Sequence, residues 1–264
     1  MTSRPRGSAL IVCVSRFKSE LGISDRLGSD MDRKNLTSLL NQLEFSIVHV
    51  DNCTADEMQS AVKEFSKKDK LHDADCVVVI LLSHGKGNFL YGSDGGKVRV
   101  DTLVQNFDNA HCPALRNKPK IFLIQGCRDD EIASNIAHVV TDGPPLSQDC
   151  CEAIDHSLSE ANDRRRLPTC SDVVIGFSAL PGRTATRNTV HGSWYIQALV
   201  RIISKHAKDK DFAEMLTLVN GFLRSKSLEQ EVQSDWHETP EFRSSLCKKL
   251  YFYPGIFAKS SFRE

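Results

Sequence analysis

The chain has no excess charge of either sign, with Lys+Arg and Asp+Glu both at 34. That removes the electrostatic case for binding nucleic acid or an anionic membrane surface. It also lacks any apolar run near the roughly 18–20 residues that a membrane-spanning helix needs. The opening Met1-Thr2-Ser3-Arg4-Pro5-Arg6 has none of the apolar core of a signal peptide. Nine cysteines, an odd number with no CxxC spacing, argue against a disulfide framework and fit a reducing, cytoplasmic setting. Cys150, Cys151, His156 and Cys170 cluster loosely but match no zinc spacing, and adjacent cysteines rarely serve one tetrahedral ion. No metal and no cofactor are expected. Asn35-Leu36-Thr37 and Asn52-Cys53-Thr54 match glycosylation acceptors and read as chance in such a compartment. No internal repeat is evident.

What is present is an alternation of strands and helices. Ala9 to Ser15, Phe45 to Val50, Cys76 to Leu82 and Lys120 to Gln125 read as strands, the third too apolar for a half-solvated one. Between them, Ser29-Asp30 offers helix caps before Leu36, Leu39, Leu40 and Leu43 at helical spacing. Thr54-Ala55-Asp56-Glu57 is a capping box ahead of a second helix. Gly85 to Gly96 reads as a hairpin or short strands, and Val98 to Phe107 as helix. After a polar connector with little periodicity, Asp172 to Phe177 reads as strand, Ser193 to Lys205 and Phe212 to Leu223 as helices, and Leu246 to Tyr253 as a last strand. The pattern predicts an α/β fold, a three-layer sandwich with a mainly parallel six-stranded sheet and helices on both faces. Three regions are expected: 1–130, a linker at 131–171, and 172–264. A structureless connector of that length inside a compact domain points to function or to a linker.

Two of the apolar runs end in reactive side chains. Phe122-Leu123-Ile124-Gln125-Gly126-Cys127 delivers a cysteine, and Val77 to Leu82 followed by Ser83-His84-Gly85 delivers a histidine. Their separation of 43 residues is enough for a crossover between neighbouring parallel strands. The pair reads as a Cys/His dyad, a thiolate nucleophile with a proton shuttle beside it.

Ser83-His84-Gly85 followed by Gln125-Gly126-Cys127-Arg128 resembles the SHG and QACRG motifs of the caspases, a pattern and His spacing already associated with that family. Arg187-Asn188 with Gly192-Ser193-Trp194-Tyr195-Ile196-Gln197 resembles its small-subunit segment. Arg26-Leu27-Gly28-Ser29-Asp30 resembles its R-x-G-[ST]-D segment, and Pro240 to Phe252 its C-terminal strand. The likeness runs in order from about residue 9 to about residue 254. It implies a cysteine endopeptidase cutting after Asp in apoptosis or related limited proteolysis. Cys127 and His84 would be catalytic, with the Gly85 and Cys127 N–H groups holding the oxyanion. Arg26, Gln125 and Arg187 would line the pocket for the aspartate, where paired guanidiniums can grip one carboxylate bidentately. It also implies a homodimer formed through the last strand, protein substrates, and possible inhibitor or heterodimeric caspase partners. Val139-Val140-Thr141-Asp142 followed by Gly143 is the expected processing site, splitting regions that match large and small subunits. Asp149, Asp155, Asp163 and Asp172 are weaker alternatives. With the first strand near residue 9, little or no prodomain is expected.

The chain departs from the family pattern in places. Gly126 replaces the usual Ala, and Asp129 the usual Gly. The Asp129 charge opposes a thiolate at Cys127, by about 2 kcal/mol at roughly 8 Å and an effective dielectric near 20. Thr184 and Thr186 stand where aromatic residues are common, which implies a wider, more polar pocket for the residue before the aspartate. Trp194 and Trp236 remain candidate walls of the outer subsites. The departures leave a second expectation open: a catalytically weak homologue that regulates a true caspase by heterodimerisation. No Asp or Asn third member of the dyad is assignable.

Overall fold

A computed structural model describes residue 1 and residues 3–128, 169–229 and 238–256. Its centre is a six-stranded sheet. In chain order the strands of the first half are β1 (Gly7–Cys13), β2 (Phe45–Asp51), β3 (Cys76–Leu82), β4 (Gly85–Lys86), β5 (Phe89–Tyr91), β6 (Lys97–Arg99) and β7 (Lys120–Gln125). The second half supplies β8 (Val173–Phe177), β9 (Arg187–Asn188), β10 (Gly192–Ser193) and β11 (Glu241–Ser244). The sheet order is β11-β8-β7-β3-β1-β2, with every pairing parallel except β11 with β8.

Side chains on successive strand positions leave the sheet on opposite faces, and the two faces meet different helices. Ala9, Ile11, Cys13, Val78 and Ile80 pack with α1 (Ser29–Gln42), and with α4 (Trp194–His206) and α5 (Phe212–Glu229) from later in the chain. Leu10, Val12, Val77, Val79 and Leu81 pack instead with α2 (Ala55–Ser66) and α3 (Val100–Gln105). Burial on both faces explains the continuous apolar runs, all seven residues of β1 and of β3 being buried. The three-layer α/β architecture read from the sequence is the one observed.

Local expectations fare unevenly. The capping box is present: the Thr54 side chain accepts from Glu57 N–H, and the Glu57 carboxylate accepts from Thr54 N–H. Gly85 to Arg99 folds back as the antiparallel β4-β5-β6 ribbon, three residues beyond the expected Gly96, so the helix expected from Val98 begins only after β6. The cap of α1 is not Ser29 or Asp30. Gly28 takes that position at φ 89°, and Ser29 is already helical and buried. A Cβ on Gly28 would sit 2.4 Å from the Asn188 carbonyl oxygen, so both conformation and space require glycine.

The expected strand from Leu246 to Tyr253 is corrected. The sheet-forming segment is β11, Glu241–Ser244, and residues 246–253 pair with no strand. Leu250 and Phe252 are buried, which accounts for the alternating pattern. The segment's backbone instead meets the α4–α5 junction, with Phe212 N–H donating to Leu250 O and Tyr253 N–H to Ala207 O. Asp142 and the other connector aspartates 149, 155 and 163 lie outside the described residues, as do Asp129, Trp236, Cys150, Cys151, His156 and most of the linker.

Candidate active site

Sheet register brings the two strand ends together. β3 and β7 are adjacent, with Leu82 level with Gln125, so His84 and Cys127 each lie two residues past a matched pair. Ser83 N–H donates to Gln125 O at 3.1 Å and extends the ladder to the ends. The backbones then approach closely. A Cβ on Gly85 would lie 2.8 Å from Cys127 O, and one on Gly126 would lie 3.1 Å from Ser83 O. Gly85 therefore cannot carry a side chain without displacing the cysteine's own backbone.

The imidazole of His84 is held from the far side. Its Nε2 lies 2.8 Å from the Ser24 carbonyl oxygen. A carbonyl only accepts, so Nε2 bears the hydrogen and the neutral ring leaves Nδ1 as the basic nitrogen. The Phe17 ring covers the imidazole, with centroids 5.0 Å apart. Burial depresses the His84 pKa below the usual histidine range, against the opposing pull of the Ser24 hydrogen bond, and the nearby Arg26 and Arg187 charges add to the depression. The ring is thus a base at neutral pH. The half-buried Cys127 Sγ accepts from Ala185 N–H at 3.5 Å, so the segment before β9 lies against the thiol.

Arg26 and Arg187 lie near each other and near Cys127 and His84, and Gln125 ends the strand that leads to Cys127. Arg26 and Gln125 are each 2% exposed, and neither Arg26 Nε nor Gln125 Oε1 has a hydrogen-bond partner among the described residues. Arg26 donates to Val14 O at 3.3 Å, and Arg187 Nε donates to Leu27 O at 3.0 Å. Burial and then the proximity of Arg187 bring the Arg26 pKa down to about 10. Two guanidiniums so placed are mutually repulsive in a medium that screens poorly, and an entering carboxylate would relieve both. Thr184 is exposed and Thr186 half-buried beside them on the same segment, and Trp194 opens α4 just beyond.

Three groups that the sequence did not single out complete the arrangement. Ser24 acts through its backbone, which leaves no trace in residue type. Asp32, fully buried on α1, accepts from Ser193 N–H at 2.7 Å and from Ser193 Oγ–H at 2.6 Å. It locks the β9–β10 hairpin, and so Arg187, onto the half that carries Arg26. Arg128, buried under β11, pairs with Glu241, lies over the Phe177 ring and reaches the Gly87 and Ala179 carbonyls. No cluster of three metal-ligating side chains occurs among the described residues, and none of their helices is long and apolar enough to cross a membrane.

Comparison with known proteins agrees in extent with this geometry. The family model described as the caspase domain matches residues 6–251. Chicken (Gallus gallus) caspase-2 is 38% identical over 97% of this chain, which spans 60% of that relative's length. Chicken caspase-6 is 34% identical over 96% of this chain and 83% of its own length. Among solved structures, caspase-1 from Spodoptera frugiperda superposes with a TM-score of 0.78 at 28% identity, covering 98% of this chain and 93% of that one.

Proposed function

This chain belongs to the caspase family, and from that premise we propose that it is a cysteine endopeptidase cleaving peptide bonds after aspartate. The observation that supports the reading is the nearness of two guanidiniums, buried Arg26 and half-buried Arg187, to each other and to His84, with Ala185 beside Arg187 meeting Cys127 Sγ. In this reading the Cys127 thiolate attacks the carbonyl carbon after the Asp side chain. The oxyanion is received by the N–H groups of Gly85 and Cys127, each such donor typically being worth about 3–4 kcal/mol. His84 takes the Cys127 thiol proton and passes it to the departing amine, and water then hydrolyses the thioester. Arg26, Arg187 and Gln125 bind the Asp carboxylate, while Thr184, Thr186 and Trp194 line the adjoining subsites.

Protein substrates, a cytoplasmic setting and a role in apoptosis or related limited proteolysis follow from the same premise. So does activation by a cut after Asp142 that separates the two halves. Asp172 is a poor alternative. Its carbonyl accepts from Lys120 N–H at 2.8 Å, its N–H donates to Ser245 O, and its bond to Val173 enters the sheet. A homodimer would form through the open edge of β11, since an unpaired strand edge favours pairing. Gly126 gives little support to a weak-homologue role, because the usual alanine methyl would meet Ser83 O at 3.1 Å and Leu90 Cδ2 at 3.2 Å here.

The test is intact-mass analysis of the chain and its Cys127→Ala variant after bacterial expression, beside hydrolysis of peptides differing only in Asp, Glu or Asn. Cleavage of the parent alone, after Asp142, with turnover confined to the Asp peptide, is expected. Equal cleavage of both proteins, or turnover without an acidic side chain, overturns the reading.

A further inference from the structure

A second buried carboxyl lies behind the segment that carries Arg187. Glu238 is 3% exposed, and its Oε2 accepts from the Thr186 N–H at 2.8 Å. The Thr186 carbonyl is held as well, accepting from Trp194 N–H at 3.1 Å. Thr186 is therefore fixed by both backbone polar groups, one on each flank. Its neighbours are the groups the site depends on: Ala185, whose N–H points at Cys127 Sγ, and Arg187. We propose that Glu238 is a positioning residue that sets the place of the Ala185–Arg187 backbone, and through it the affinity for peptide. The part concerning peptide rests on the endopeptidase reading above.

The surroundings of the carboxyl make this hold adjustable. Its Oε1 meets no hydrogen-bonding group among the described residues, and neither does the buried hydroxyl of Tyr195 on α4. Lys226 on α5 acts on it from one side, with its ammonium 4.7 Å from the Trp194 ring centroid and 3.3 Å from Gln197 Oε1. Asp32 on α1 acts from another with like charge, and Tyr195 feels the same carboxyl. Burial, only partly countered by the Thr186 bonds and Lys226, raises the Glu238 pKa to about 8. A charged acceptor makes a stronger hydrogen bond than a neutral one. The Thr186 anchor therefore strengthens as the pH rises through that value.

Two variants separate the acceptor from the charge. Glu238→Gln keeps an oxygen for Thr186 N–H and removes the titration; Glu238→Ala removes both. Amide hydrogen exchange of residues 184–188 is measured from pH 6 to 9 as protection factors, beside peptide hydrolysis. In Glu238→Ala, protection at Thr186 falls and KM near pH 7 rises about tenfold, the scale of one lost hydrogen bond, with kcat changing far less. Glu238→Gln restores protection and KM near pH 7 and abolishes the rise in protection between pH 7 and 9 seen in the parent. Unchanged protection at Thr186 in the alanine variant overturns the proposal, as does a glutamine variant as loose as the alanine one. The exchange arm decides this even where the parent hydrolyses no peptide, a result that would instead count against the endopeptidase reading.

Discussion

Replacing Asp32 separates hydrogen bonding from charge at the junction of the two halves. Asp32→Ala leaves the buried Ser193 N–H and O–H without the acceptors that now lie at 2.7 and 2.6 Å. Each stranded donor costs about 1–3 kcal/mol. Removing a buried carboxylate recovers part of this. Burial holds the Asp32 pKa above the usual range, against the Ser193 bonds and the neighbouring Arg26 and Arg187. The net loss is about 3 kcal/mol, or roughly 6–12 °C in melting temperature for a chain of this size. Asp32→Asn keeps an acceptor for the N–H and offers its amide to the hydroxyl oxygen, so it stays within about 1 kcal/mol of the parent. The pH dependence follows from the raised pKa. The native state holds the proton more tightly than the unfolded one, so the Asp32 contribution falls as pH rises from about 4 through the folded value. The asparagine variant lacks that fall and gains on the parent between pH 4 and 7. Calorimetric melts across this range measure both effects. An asparagine variant as unstable as the alanine one, or an alanine variant that loses under 1 kcal/mol, refutes the reasoning.

Other perturbations are as specific. Gly28→Ala places a side chain at φ 89° with its Cβ 2.4 Å from Asn188 O, and should lower stability by more than about 2 kcal/mol in a denaturant titration. Gly126→Ala meets Ser83 O at 3.1 Å at an ordinary φ, so stability changes by under about 1 kcal/mol and peptide turnover by less than fivefold. A tenfold gain in turnover would make Gly126 a defect after all. Phe17→Ala uncovers His84, whose pKa burial depresses, so the acid limb of the kcat/KM profile should move to higher pH. An unmoved limb would mean that Phe17 does not supply that burial.

Much of this architecture is legible in the amino-acid sequence. The strands β3 and β7 were legible because a parallel strand buried on both faces is apolar at every position, and the residue types at their ends announced chemistry. β11 was missed for the opposite reason. Glu241-Phe242-Arg243-Ser244 is an edge strand, half-buried to exposed, with one large apolar residue, whereas Leu250 and Phe252 produce a strand-like alternation by packing an extended segment onto helices. The Gly28 cap was hidden behind a Ser-Asp pair that looks like a better one. Asp32 and Glu238 escaped because a buried acid and a surface acid are the same letter. Each is recognised only by the N–H it meets in a distant segment, at Ser193 and Thr186.

Those distant partners share a pattern that bears on how the site keeps its shape. The two apolar layers join the halves of the chain over a wide area, but hydrophobic contact is non-directional and tolerates small slides. The polar ties do not. Asp32 on α1 grips Ser193, Arg6 just before β1 donates to Phe252 O at 2.8 Å, and Arg128 pairs with Glu241. In each, a buried charge from the first half meets a backbone or side-chain group of the second. Such a group is costly when misplaced by even one ångström, because its desolvation is then uncompensated. The apolar layers therefore supply most of the attraction between the halves, and the buried charges fix their offset. That offset sets the spacing of Arg26 on the first half and Arg187 on the second, which act on each other.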